Sequence, residues 1–199
     1  MKLELFVVDI NYYKEITNIT LPLLEQYANK IGAKFTKIVD RKFPNMHASY
    51  EKLQVYEIGK DNDYNIIIDS DMILKKDMYN VVDLVPSDYV GCWESFSWPG
   101  LYNNKGIDVG IASNFVVVPK LCLEVLKPLE ESEEWQRYCE RPAYVNEYCI
   151  SLNRQRLEYK LAGLEIPGSR NVLFKHLNII TDKVDIQQAV IEAENFLKG

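Results

Sequence analysis

Apolar positions along this chain alternate between two periods. Residues 3–10 (LELFVVDI) form a nearly continuous apolar run, which predicts a strand buried on both faces of a parallel sheet. Ile16, Ile19, Leu23, Leu24, Tyr27 and Ile31 then recur at helical spacing, and Gly32 supplies a stop. Residues 33–39 read as a second strand. Residues 49–58 read as a second helix with Leu53, Tyr56 and Val55 turned inward, ended near Gly59. A third strand over 64–68 runs directly into Asp69, a fourth covers 89–93, and a fifth over 115–118 is closed by Pro119. Helices are predicted over 121–129 and over a long piece, 144–161. A loop over 163–169, a short strand over 172–177 and an amphipathic helix over 186–197 follow. Strand and helix alternate up to about residue 130, which predicts an open α/β sheet. No repeat, low-complexity segment or linker divides the chain, so one domain over 1–199 is expected.

Composition narrows this little. A chain of 199 residues with 47% hydrophobic and 26% charged positions can bury one substantial core. The net charge of −6 argues against a nucleic-acid partner, which needs clustered Lys and Arg. It leaves room for a small anionic ligand, because a metal ion supplies positive charge locally. No apolar stretch reaches membrane-spanning length, and Met1-Lys2-Leu3-Glu4 opens straight into the first strand. No signal peptide or membrane anchor is therefore expected. Cys92, Cys122, Cys139 and Cys149 lack CxxC spacing, which predicts free thiols in a reducing, cytoplasmic setting and no zinc site.

Chemistry concentrates in Ile66-Ile67-Ile68-Asp69-Ser70-Asp71. Three isoleucines want a dry sheet interior, where two carboxylates would be costly unless paired or metal-bound. At the carboxyl end of a strand they emerge instead into the crevice where α/β folds bind ligands. Asp-x-Asp sets two hard oxygen donors close together, suited to Mn²⁺ or Mg²⁺ shared with phosphate oxygens. Two solvated turn aspartates are the plainer alternative. Asp71 is expected at a solvent-facing strand end, where its replacement by alanine would leave the fold intact.

Together with the upstream segment Tyr50-Glu51-Lys52-Leu53-Gln54-Val55, this pattern resembles the GT-A glycosyltransferases, and more narrowly the glycogenin-like enzymes. The compact size also resembles that of a viral glycosyltransferase domain. The resemblance implies a single-domain GT-A fold, a mixed, mostly parallel sheet flanked by helices. Within it, about 1–90 would bind the nucleotide and about 91–180 the acceptor. It implies transfer from a nucleotide-diphosphate sugar, a UDP-sugar by family habit, to a hydroxyl of a glycan or glycoprotein. Asp69 and Asp71 would hold Mn²⁺ or Mg²⁺ on the donor diphosphate, flanking Ser70, and Lys52 would help bind the donor; an ordinary exposed helix lysine is the alternative. Asp9, Tyr12 and Tyr13, in Val8-Asp9-Ile10-Asn11-Tyr12-Tyr13, would hold the base, unless the tyrosines simply pack. Ser113 and Asn114, in Asp108-Val109-Gly110-Ile111-Ala112-Ser113-Asn114-Phe115, would lie beside the donor sugar. His176, in Phe174-Lys175-His176-Leu177, would be the third metal ligand, whereas His47, the other histidine, is expected at the surface. The Gly and Lys-Pro-Trp that follow this histidine in glycogenin-like enzymes are absent from Leu177-Asn178-Ile179-Ile180.

Sugar transfer also needs control of the acceptor hydroxyl, and an inverting route wants a carboxylate base there. Glu147 is the candidate, with an ordinary first-turn glutamate as alternative. Retaining relatives carry Asp-Gln where this chain has Asn146-Glu147, so the stereochemistry stays open. Glu94 is a second acidic candidate. Trp93, Phe96, Trp98 and Tyr102 read either as an acceptor platform or lid, or as a cap on the sheet edge. Three rival readings differ in chemistry. A haloacid-dehalogenase-like phosphatase also uses Asp-x-Asp, but on its first strand and with Thr or Val where this chain has Ile73. A sugar-nucleotide-forming nucleotidyltransferase would carry a Gly-rich loop after its first strand. A non-catalytic binding module would keep the fold without turnover. The chain reads equally well as a whole protein or as a domain of a longer one.

Overall fold

The computed structural model describes residues 1–10, 13–93, 95–96, 106–138, 141–166, 173–177 and 186–198. Strand β1 (Leu3–Val8) leads to helix α1 (Lys14–Lys30) and β2 (Lys34–Ile38). Gly32, at φ +71, supplies the left-handed residue that turns the chain out of α1. The predicted second helix is mostly a tighter 3₁₀ segment, Ala48–Gln54, that passes into the single α turn α2 (Val55–Ile58). Strands β3 (Tyr64–Ile68), β4 (Met72–Leu74), β5 (Tyr89–Cys92), β6 (Ser95–Phe96), β7 (Gly110–Ile111) and β8 (Phe115–Pro119) follow. The helix predicted over 121–129 is a 3₁₀ segment, Lys120–Leu126. The remainder is α3 (Ser132–Tyr138), α4 (Val145–Arg156), β9 (Lys160–Gly163), β10 (Phe174–His176) and α5 (Ile186–Lys198).

Among the described residues, six strands form the central sheet in the order β2-β1-β3-β8-β5-β9. β1 runs parallel to both β2 and β3, and β9 parallel to β5. β8 alone is reversed, antiparallel to β3 and β5. The period-2 geometry of a strand divides the apolar runs between two cores. Phe6, Ile67, Val116 and Val118 pack on one side with Tyr50, Leu53 and Cys149. Leu5, Val7, Ile66, Ile68 and Phe115 pack on the other with Leu24, Tyr27 and Val81. Covering both faces is what makes these strands nearly continuous apolar runs, with Glu4 and Asn65 the buried polar positions of β1 and β3.

Gly91 sits in β5 because the space above its Cα is filled. An added Cβ would lie 2.5 Å from Val85 Cγ2, 2.8 Å from Leu164 Cδ2 and 3.1 Å from Val117 Cβ. Gly91→Ala should therefore destabilise the protein by roughly 1–3 kcal/mol, measured by denaturant unfolding. An unchanged midpoint would mean that these side chains can move aside.

The long helix expected over 144–161 stops at Arg156. Glu158 adopts φ +56 and Tyr159 N–H donates to Arg154 O, so the chain reverses and pairs with β5 as β9. No glycine or proline marks that reversal. Cys92, Cys122 and Cys149 are buried free thiols; Cys139 lies outside the described residues. Among the described residues, no helix is long and apolar enough to cross a membrane.

Candidate metal centre

The reversal of β8 builds the site. Ile68 pairs with Phe115, so the residues preceding β8 lie against those following β3. Asp69 N–H accordingly donates to Asn114 O at 2.8 Å. The turn 69–71 closes by Met72 N–H to Asp69 O, 3.0 Å. Behind it, Thr20 of α1, fully buried, donates its hydroxyl to Ser70 O. Thr20 is a site-supporting residue that the sequence pattern left unassigned; its signal is a polar side chain four residues from Ile16 on the apolar stripe of α1.

His176 arrives from β10, which pairs antiparallel with β4 and sets His176 opposite Met72. Leu177 N–H donates to Asp71 O at 3.2 Å, securing the far end of that pairing. The imidazole Nε2 then lies 3.2 Å from Asp71 Oδ1 and 3.9 Å from Asp69 Oδ2. One donor atom from each of Asp69, Asp71 and His176 falls within 4.8 Å of the others, among the described residues the one cluster of this kind. Two carboxylates and an imidazole suit Mn²⁺ or Mg²⁺, so the donor set fits the expected cation. Asp71 departs from expectation. It is 1% exposed rather than solvent-facing, with the His176 imidazole of β10 against its carboxylate. Burial pulls the His176 imidazole down, but the carboxylates of Asp71 and Asp69 outweigh it and hold the group above its usual value.

Lys52 is likewise no exposed helix lysine. It is 3% exposed, and its ammonium pairs with Asp69 Oδ1 and donates to Ser113 O and Oγ at 3.0 Å each. The 3₁₀ segment that carries it is pinned through its neighbour Glu51, fully buried, which accepts from Arg41 Nε and the backbone N–H groups of Lys42 and Phe43. Opposite, from the first turn of α4, Glu147 Oε1 accepts Ser113 N–H at 3.0 Å, and Asn146 donates to Ser113 Oγ at 2.6 Å. Ser113 is thus the hub joining Lys52, Asn146 and Glu147.

Burial pushes the Glu147 carboxyl up to about 7, against the opposing pull of Ser113 N–H and the Lys52 charge. The sign follows. A carboxyl raised above its ordinary 4.5 binds more protons folded than unfolded, so it costs stability as pH rises from about 4.5 to 7. Glu147→Gln should flatten the fall in unfolding free energy over that window, measured by denaturant titrations at pH 5 and 8. An identical pH slope in the variant would remove this assignment.

Asp9 lies half-buried at the carboxyl end of β1, its N–H donating to Ile38 O at 2.9 Å. Tyr13, 38% exposed, precedes α1, and its carbonyl accepts from Ile16 and Thr17. Tyr12, Glu94, Trp98 and Tyr102 lie outside the described residues.

No protein-family model and no curated protein matches this sequence. Among solved structures, a glycosyltransferase involved in the glycosylation of the major capsid of PBCV-1 superposes with a TM-score of 0.61. It is 14% identical over 96% of this chain and 99% of that one. The chain has a GT-A-like fold. Two weaker likenesses add nothing to that GT-A assignment. They are the galactosyltransferase LgtC in complex with donor and acceptor sugar analogs (TM-score 0.48, 9% identity, 75% and 70% coverage) and GlyE of Streptococcus pneumoniae TIGR4 (0.49, 11%, 83% and 45%). The expected mixed, mostly parallel sheet with flanking helices agrees with the GT-A-like architecture.

Proposed function

We propose that this protein is a metal-dependent glycosyltransferase that moves a sugar from a UDP-sugar to a hydroxyl acceptor, a glycan or glycoprotein. The observation that carries it is the convergence of Asp69, Asp71 and His176 beside the buried ammonium of Lys52, at the carboxyl end of β3. Two carboxylates with one imidazole make a hard-cation site, and a lysine at its edge makes sense where a diphosphate brings further negative charge. A bound Mn²⁺ or Mg²⁺ would act as a Lewis acid on the departing diphosphate.

The chain's own residues supply the rest. Lys52, fixed by Ser113, offers a preorganised positive charge to the leaving group, with no reorganisation needed as the sugar–phosphate bond breaks. Ser70 and Asn114 line the turn around the metal ligands, and Ser113 borders the donor. Asp9, Tyr12 and Tyr13 would frame the base at the end of β1. Glu147 takes the acceptor proton; a carboxyl near 7 accepts and returns a proton readily at neutral pH. One domain over 1–199 carries both donor and acceptor sides.

The test is calorimetric titration of UDP into metal-free protein, with and without Mn²⁺, followed by a screen of UDP-sugars for transfer or slow hydrolysis. UDP binding that requires Mn²⁺, with release of UDP from one UDP-sugar, is the expected result. Binding without turnover of any sugar donor would favour a binding module. No UDP binding in either condition, with phosphate released from a generic phosphate ester, would favour the phosphatase.

A further inference from the structure

Asn114 touches both halves of the Asp69–Asp71–His176 cluster. Its backbone carbonyl accepts Asp69 N–H at 2.8 Å, and its side-chain amide meets His176 Nδ1 at 3.2 Å. The residue is 5% exposed, and its Oδ1 is buried with no hydrogen-bond partner among the described residues. Nitrogen faces nitrogen across this contact, which is stable only if Nδ1 is a bare acceptor. That arrangement would place the ring proton on Nε2, the atom directed at Asp71 and Asp69. A metal ligand needs the opposite: a lone pair on Nε2 and the proton on Nδ1. Amide oxygen and nitrogen differ only by a half-turn about the last side-chain bond. The turned amide presents Oδ1 to the Nδ1 proton, and its N–H groups then occupy the buried position where Oδ1 now lacks a partner.

We infer that Asn114 is the positioning residue of the metal centre, its Oδ1 accepting the Nδ1 proton of His176 and so aiming the bare Nε2 at the cation. This rests on the metal reading proposed above. It differs from direct contact with the donor, because Asn114 acts here through His176. Partners of this kind orient a ligating imidazole and commonly alter metal affinity by about 10–100-fold when removed.

Asn114→Ala tests it, since the backbone bond to Asp69 survives the substitution. Mn²⁺ affinity in the presence of saturating UDP should fall by about 10–100-fold in Asn114→Ala. It should return to within about threefold of the parent in Asn114→Asp, whose carboxylate accepts the same proton. Thermal melting of the metal-free variants separates this from misfolding. A second readout needs no turnover. In the ¹⁵N-labelled, Mg²⁺- and UDP-loaded protein, His176 Nδ1 should carry the proton and Nε2 should not, with His47→Gln assigning the two rings. Mn²⁺ affinity of Asn114→Ala within twofold of the parent, or an unprotonated Nδ1 in the loaded protein, overturns the inference and leaves the glycosyltransferase reading standing. A parent protein that binds no Mn²⁺ at all overturns both.

Discussion

Asp71→Asn should abolish Mn²⁺-dependent UDP binding, weakening it by more than about a hundredfold, the upper end of what losing a mere supporting partner costs. Asp71 is the best-enclosed ligand of the cluster, 1% exposed and 3.2 Å from His176 Nε2. Its carboxylate cannot be replaced from solvent, so an amide in its place subtracts one full charge from the site. Asparagine is the appropriate probe because it keeps volume. Alanine would open space beneath the β4–β10 pair and mix a packing loss into the result. Calorimetry against a melting curve separates the two effects. Unaltered metal-dependent UDP affinity in a folded Asp71→Asn protein would remove Asp71 from the ligand set.

Lys52→Met carries the second large effect. The side chain is buried and methionine roughly matches its length, so the core should hold while the charge disappears. Turnover of the UDP-sugar at saturating donor should drop by about 10²–10³-fold, the usual loss when a preorganised electrostatic group is withdrawn from a transition state. A change confined to KM would instead mark Lys52 as a uniform binding contact. Glu147 gives an independent signature. The Lys52 charge is one of the influences holding its carboxyl down, so its removal should move the alkaline-going limb of the rate profile to higher pH. Turnover within threefold of the parent, with an unshifted pH profile, would reduce Lys52 to a structural counter-ion of Asp69.

Much of this site was legible in the chain itself, for local reasons. Ile66-Ile67-Ile68 followed by two aspartates combines a dry strand with charges that must leave the sheet, and β3 ends where that logic requires. The family resemblance, rather than any local pattern, implied that Lys52, Ser113, Asn114 and His176 belong near Asp69, where they lie. Their pairings were not legible, because they depend on strand direction and register. The reversal of β8 sets Asn114 against Asp69, and the β4–β10 ladder brings His176 to Asp71. No local pattern encodes either. From its own segment alone Lys52 read equally as an exposed helix lysine, because its partners lie on other elements. The overextended helix near 156 has the same origin: the pairing of β9 with β5 overrides a good helical pattern, and Glu158 absorbs the turn without a glycine.

His176 hangs on a two-stranded ladder outside the six-stranded sheet, backed by α5 through Lys175–Glu192, 2.9 Å, and Lys75 over the Phe196 ring. The consequence is one of timing. The central sheet can assemble from strands that end at Gly163, whereas the last ligand must close a long excursion of chain before it meets the first two. Refolding from denaturant should restore the central sheet before it brings His176 against Asp69 and Asp71.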